Sequence, residues 1–303
     1  MKLHFIKSFT RFFSKNRRVW DRVPRFKKEV VVIFSGIIEN VRQKSPLVCN
    51  MANIVTVADC AAVTTACGGR IKVLSDCEEE LIGICDGVNI NMGTPDRHKL
   101  EVMVQVGVMA NNFKKPLLLD PVGVGASKIR TDTAVRLMNE VKFSVIRGNI
   151  SEIKTLITGS GKTMGVDANV DDKVTGKNLA RSVEFAGNFS LKTGAVVAIT
   201  GSIDIVTDGK TAFCIYNGDK MMSSITGSGC MLSAMMAAFV SANGNNILNS
   251  AAAAVCTMGI CGERARKRLL NDEGSGSFRR YLIDEIENIS QTDLEREARY
   301  EIR

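Results

Sequence analysis

Three short runs combine residue types that handle phosphate. In Leu119-Asp120-Pro121-Val122-Gly123 an acid closes an apolar run and a turn follows. A carboxylate so placed can hold Mg2+ directly or through water beside nucleotide phosphates, although an Asp at a strand end also serves as a turn former or helix cap. In Ile146-Arg147-Gly148-Asn149-Ile150-Ser151-Glu152 an Arg and a Glu flank a Gly-Asn turn. The guanidinium offers a planar fork to phosphate oxygens, and a second carboxylate close to the first would share the water shell of a metal. As a surface ion pair the same residues would contribute little. The third run is Ser224-Ile225-Thr226-Gly227-Ser228-Gly229-Cys230, followed by the apolar stretch Met231-Leu232-Ser233-Ala234. Its glycines free backbone N–H groups to converge at a helix start, where the dipole favours an anion. A thiol at such a start, Cys230, is expected to carry a lowered pKa.

These runs need a scaffold that brings them together. Apolar runs at residues 71–74, 87–91, 116–120, 144–147, 195–200 and 212–216 read as strands, several of them continuous, as strands covered on both faces should be. Between them, helical patterns occupy residues 54–66, 99–112, 131–141, 174–193, 231–242 and 249–268. Such alternation predicts an α/β domain with a mostly parallel central sheet and helices on both faces. Ligands of open α/β sheets bind beyond the carboxyl ends of the strands. The loops after Asn91, Asp120, Arg147 and Thr200 are therefore where chemistry is expected.

Composition narrows the class. The 303 residues carry a net charge of +8, yet residues 1–28 alone hold ten bases against the single acid Asp21. The body is close to neutral, so the basicity belongs to an appendage and no nucleic-acid partner is expected of the domain. Leu3, Ile6, Phe9, Phe12 and Phe13 recur at helical spacing with Lys7, Arg11 and Lys15 between them, an amphipathic basic pattern over about residues 4–14. It fits an organellar transit peptide, a surface-binding arm or a solvated extension without a role. Residues 1–29 are read as this extension and residues 30–303 as one domain, since no Pro- or Ser-rich linker interrupts the chain. The nine cysteines lie mostly in apolar or Ala-rich runs without CxxC pairs, the usage of a reducing compartment. No run of some 20 apolar residues is present, so no transmembrane helix is predicted. A cytoplasmic protein is expected, or an organellar one if the arm is a transit peptide.

Taken in order, the three runs resemble the hydroxyethylthiazole kinase family of the ribokinase-like superfamily. The likeness includes Ser45-Pro46-Leu47-Val48 and Asn53, Asn91-Met92-Gly93-Thr94, Arg130-Thr131, Gly165-Val166-Asp167-Ala168, Ala198-Ile199-Thr200-Gly201 and Gly274-Ser275-Gly276-Ser277-Phe278, spanning roughly residues 40–290. It implies transfer of the γ-phosphoryl group of ATP to the primary hydroxyl of hydroxyethyl-methylthiazole, in thiamin salvage. It further implies that Gly227, Ser228, Gly229 and Cys230 cradle the migrating group, and that Arg147, Thr200, Asn149 and Gly201 meet ATP. Asp120 and Glu152 would organise Mg2+, and Asn53, Val73, Gly227 and Cys49 would line the alcohol site. A homotrimer with sites between subunits is implied too.

The chain departs from the family pattern at Cys49, Ala52 and Val73, where His, Thr and Met are usual, so the alcohol itself stays open at this point. A related ribokinase-like kinase would carry Asp at the position of Cys230. A non-catalytic ligand-binding relative with a surface-docking arm is the remaining alternative.

Overall fold

The computed structural model describes residues 33–94, 97–158 and 173–303. The basic arm and the run Gly165-Val166-Asp167-Ala168 lie outside the described residues. The fold below is that of Phe34–Arg303.

Nine strands form one sheet: β1 Leu47–Met51, β2 Arg70–Val73, β3 Gly87–Asn91, β4 Leu117–Asp120, β5 Val145–Asn149, β6 Val196–Thr200, β7 Asp204–Thr207, β8 Ala212–Ile215 and β9 Tyr300–Ile302. Their spatial order is β2-β1-β3-β4-β5-β6-β7-β8-β9. Every pair from β2 to β6 is parallel and the last three pairs are antiparallel. The mostly parallel sheet expected from the alternation is thus present.

The six expected strands correspond to β2, β3, β4, β5, β6 and β8. Three were not read. β1 carries the polar Asn50 within its five residues, β7 begins only three residues after the turn at Gly201, and β9 lies among charges in Arg299-Tyr300-Glu301-Ile302-Arg303. The last of these pairs with β8 and closes that edge of the sheet. Its Tyr300 ring centroid lies 5.1 Å from that of Phe34, tilted, and 5.4 Å from that of Phe213, edge-on, tying the first and last described segments of the domain together.

The helices Val57–Ala66, Ser228–Ala242 and Ile247–Arg268 pack together on one face. On the other, Arg97–Asn112, Lys128–Glu140 and Ile150–Thr158 follow in succession. Strand parity assigns side chains to these two layers. Cys49, Met51, Val88, Ile90, Leu117, Leu119, Ile146, Val197 and Ile199 enter the core of the second layer. Their alternates Asn50, Asn89, Asn91, Asp120, Arg147 and Thr200 face the first layer, in which the helix Ser228–Ala242 packs on β1, β3 and β4. Among the described residues no helix is long and apolar enough to cross a membrane.

Candidate active site

Parity and parallel register together build the site. Asn91 and Asp120, the last residues of β3 and β4, are register partners, and Arg147 and Thr200 follow on β5 and β6. Asp120 is fully buried; its Oδ2 accepts from Asn91 Nδ2 at 2.9 Å and its Oδ1 lies 3.4 Å from Arg147 Nη1. Arg147 Nη2 donates to Thr200 Oγ1 at 2.7 Å. Burial pushes the Asp120 carboxyl above its ordinary range, while the guanidinium beside it pulls the other way. The Ser233 hydroxyl also faces this carboxyl. A buried pair of this kind contributes little net stability, but removing either member alone is costly.

Glu152 fastens the neighbouring loops. Its Oε1 accepts from the Gly123 N–H at 2.8 Å, and its Oε2 from the Asn149 N–H at 2.8 Å. Asn149 Oδ1 accepts in return from the Glu152 N–H at 2.9 Å, a reciprocal cap at the start of Ile150–Thr158. Burial first, and then the Asp120 charge, push the Glu152 carboxyl up to about 7. Gly201, in the loop after β6, donates its N–H to Asp204 Oδ1 at 2.8 Å. Burial likewise raises Asp204 to about 7.

The third run forms the helix start that its glycines suggested. Gly227 caps the helix Ser228–Ala242 in the left-handed region at φ 85°, and the helix begins three residues earlier than the apolar pattern alone indicated. Helix geometry leaves the first-turn N–H groups, Gly229 and Cys230 among them, without an intrahelical acceptor. Close approach explains both glycines. A Cβ on Gly227 would come within 2.2 Å of Thr56, and one on Gly229 within 2.4 Å of the Arg147 guanidinium. A positive helix terminus and a guanidinium therefore meet at one point, with the Asp120 carboxylate beneath them. This arrangement can hold an anionic group and neutralise charge that develops on it.

Cys230 is buried in that first turn, and Asn53 Nδ2 donates to its Sγ at 3.5 Å. Its pKa is not lowered, as the helix terminus suggested. Burial, reinforced by the Asp120 charge, pushes the thiol up to about 11. A second expectation also changes. Cys49 is register-bound to the opposite face, where its Sγ lies 3.7 Å from the Leu81 carbonyl within the core, so it lines no part of this site. Val73 pairs with Asn50 on the site face and is 42% exposed on the edge strand β2. Asn149 ends β5, and Asn53, Gly201, Gly227, Ser228 and Gly229 lie in the loops and helix start around the cluster. Among the described residues no group of three His, Cys, Asp or Glu side chains could cage a metal.

Sequence reasoning passed over Arg130 and Asn91 as site residues. Arg130 Nη1 donates to the Met92 and Val122 carbonyls at 2.9 and 2.7 Å, and Nη2 to the Gly93 carbonyl at 2.7 Å. It staples the loops after β3 and β4. An Arg early in a helix carries no such message, since its targets are carbonyls. Arg130→Ala is expected to lower unfolding free energy by about 2–3 kcal/mol, because charged donors to carbonyls are worth more than neutral ones. Denaturant titration measures it; a loss under about 0.5 kcal/mol would mean the staple is idle.

The profile of the "Hydroxyethylthiazole kinase family" matches residues 38–292. Over 266 residues the chain is 52% identical to the hydroxyethylthiazole kinase of Clostridium acetobutylicum, covering 87% of this chain and 97% of that protein. It is 40% identical to that of Alkaliphilus oremlandii over 87% of this chain and 95% of the other. Among solved structures, a hydroxyethylthiazole kinase from Pyrococcus horikoshii superposes with a TM-score of 0.79 at 29% identity, covering 89% of this chain and 98% of that one. A pyridoxal kinase of Entamoeba histolytica shares the fold alone, with a TM-score of 0.53 at 11% identity over 84% and 97% of the two chains.

Proposed function

The chain belongs to the hydroxyethylthiazole kinase family, and from that premise we propose how its own residues perform the transfer of the ATP γ-phosphoryl group to hydroxyethyl-methylthiazole. The observation that carries the reading is the meeting of Asp120, Arg147, Thr200 and the Gly227–Cys230 turn at one sheet edge. Phosphoryl transfer needs mainly alignment and charge neutralisation. The alcohol oxygen bonds to the γ-phosphorus as the bond to the β–γ bridging oxygen breaks, and ADP leaves with that electron pair. The first-turn N–H groups and the Arg147 guanidinium hold the migrating group, and Thr200 and Gly201 border the rest of the triphosphate. Asn149 acts through its cap, which fixes the loop carrying Glu152.

Bound Mg2+ would supply neutralisation of the phosphate charge, with Asp120 and Glu152 as the carboxylates nearest to hold its water shell. The residues fit an outer role toward it rather than a cage. Both Glu152 oxygens accept backbone N–H groups, and Asp120 is engaged by Asn91 and Arg147, which suits an ion that keeps its waters and takes phosphate ligands. Val73, with Ile54 and Val55 exposed at 78% and 65%, is the apolar surface that the neighbouring subunit of a trimer would cover. Asn53 borders the alcohol through its contact with Cys230.

The Cys230 thiol, pushed up to about 11, stays protonated near neutrality, so it positions the alcohol and does not deprotonate it. In a loose transition state the hydroxyl proton leaves late, to a phosphoryl oxygen or water. Accordingly kcat is expected to show no rise attributable to Cys230 between about pH 7 and about pH 9, and Cys230→Ala should cost only about tenfold. Cys230→Asp should retain activity. A unit-slope rise in log kcat over that range, absent from Cys230→Ala, would instead make the thiolate the base.

The reading is tested with the full chain, Mg-ATP and a panel of thiazole, pyrimidine and sugar alcohols, scored by ADP release. Turnover should be fastest with the thiazole alcohol. Turnover confined to another member of the panel would overturn the substrate assignment.

A further inference from the structure

Between the Asp120 carboxylate and the Cys230 thiol runs a chain of two side-chain amides whose direction is set from outside. Asn53 Oδ1 accepts from the backbone N–H groups of Val55 and Thr56, each at 3.1 Å. Its Nδ2 is thereby turned the other way, to Asn91 Oδ1 at 3.0 Å and Cys230 Sγ at 3.5 Å. Asn91 Oδ1 also accepts from the Gly93 N–H at 2.9 Å, which leaves Asn91 Nδ2 for Asp120 Oδ2 at 2.9 Å. A backbone N–H can only donate, so neither amide can flip without losing bonds.

Arg147 leaves this job undone. Its single contact with the carboxylate, at 3.4 Å, reaches Oδ1 only. The other oxygen is held by Asn91, which is itself 2% exposed and stands opposite Asp120 in the parallel register. Groups fixed in advance in a water-excluded site need no reorganisation when charge moves, and a network with its partners satisfied is rigid. The same two amides also fix where the thiol lies, because Asn53 cannot move toward Cys230 without breaking from Asn91.

We propose that Asn91 is a positioning residue for phosphoryl transfer: its amide orients Asp120 and, through Asn53, sets the place of the Cys230 thiol. One relay thus holds the phosphate side and the alcohol side of the reaction in a fixed relation. The inference rests on the kinase reading above. The competing role is purely architectural, in which Asn91 does no more than satisfy the part-buried Gly93 N–H.

Two full-length variants separate these roles. Asn91→Asp has the same size and still accepts from Gly93 and Asn53, but it turns an oxygen toward Asp120. Asn91→Ala removes all three bonds. Both are expected to lower kcat at least roughly 50-fold with KM for ATP and for the alcohol within about threefold, a split that marks loss of transition-state positioning. In Asn91→Ala, alkylation of Cys230 by iodoacetamide, followed on its own peptide without substrate, should quicken at least about fivefold as the thiol loses its fixed neighbour. A folded Asn91→Asp enzyme whose kcat stays within about threefold of wild type overturns the proposal. So does a lower melting temperature with kcat and alkylation unmoved, or loss of a cooperative melt in both variants, which assigns Asn91 to the fold. The alkylation arm needs no substrate, so it judges the relay even if the wild-type enzyme proves inactive on the thiazole alcohol and the kinase reading fails.

Discussion

Asp120→Asn should lower kcat by about 10³-fold or more if the kinase reading holds, since the carboxylate it assigns to the phosphate side is replaced by a neutral amide of the same shape. The same substitution leaves the Arg147 guanidinium, nearly buried, without its charge partner. Breaking one side of a buried pair costs about 3–5 kcal/mol, so the melting temperature should fall as well. Binding should move the opposite way. With the carboxylate gone, metal-free ATP meets an unopposed guanidinium at a helix start and should bind more tightly than to the wild type. Added nucleotide would then raise the melting temperature of the variant by more than that of the wild type. Steady-state kinetics and calorimetric titration without metal read both arms. A variant whose kcat stayed within about tenfold of wild type would remove Asp120 from the chemistry.

Gly229→Ala should lower kcat/KM for ATP by about 10²-fold to 10³-fold, through a side chain it never replaces. The added methyl would sit 2.4 to 2.8 Å from the Arg147 guanidinium. That guanidinium cannot step aside and keep both Asp120 and Thr200, so it leaves them. Helix propensity acts in the contrary sense, because Ala in a helix is worth about 1 kcal/mol over Gly. The fold should therefore survive while the phosphate site is lost, and a melting temperature near wild type beside the kinetic defect is the signature. Gly227→Ala should fare worse, for its backbone lies at φ 85° and its methyl would strike Thr56. Gly244→Ala, with open space around the position, is the control expected to keep full activity. If Gly229→Ala also turned over ATP normally, the juxtaposition of Arg147 with the helix start would have no catalytic weight.

How much of this site was legible in the sequence follows from what each residue has to signal. Asp120 and Arg147 end apolar runs, and Gly227 and Gly229 precede a long apolar helix, so type and spacing announce their position. Asn91 ends an apolar run equally well, but an amide has no charge to mark it as a partner for Asp120. Cys49 was placed in the alcohol site by its correspondence to a family position, whereas the parity of β1 sends its thiol into the opposite core. Correspondence of position carries no parity, and the polar Asn50 next to it hides the strand character of the run. The pKa of Cys230 was misread for another reason. Position at a helix start is a local fact, whereas the burial and the Asp120 charge that outweigh it come from residues far away in sequence. Charge on Glu152 is a comparable case, because Asp120 and the closed loops around it exist only after folding.

The late antiparallel strand β9 bears on how the polypeptide is made. Its partner β8 is complete some 85 residues earlier in the chain, so a nascent molecule on the ribosome carries that strand with its outer N–H and C=O groups unpaired. Such a border is a template for pairing with another molecule. Only when Tyr300, Glu301 and Ile302 emerge does the border close, with the Tyr300 ring settling between Phe34 and Phe213. A chain that stopped before Arg299 would therefore keep every residue of the candidate site, and its main hazard would be self-association.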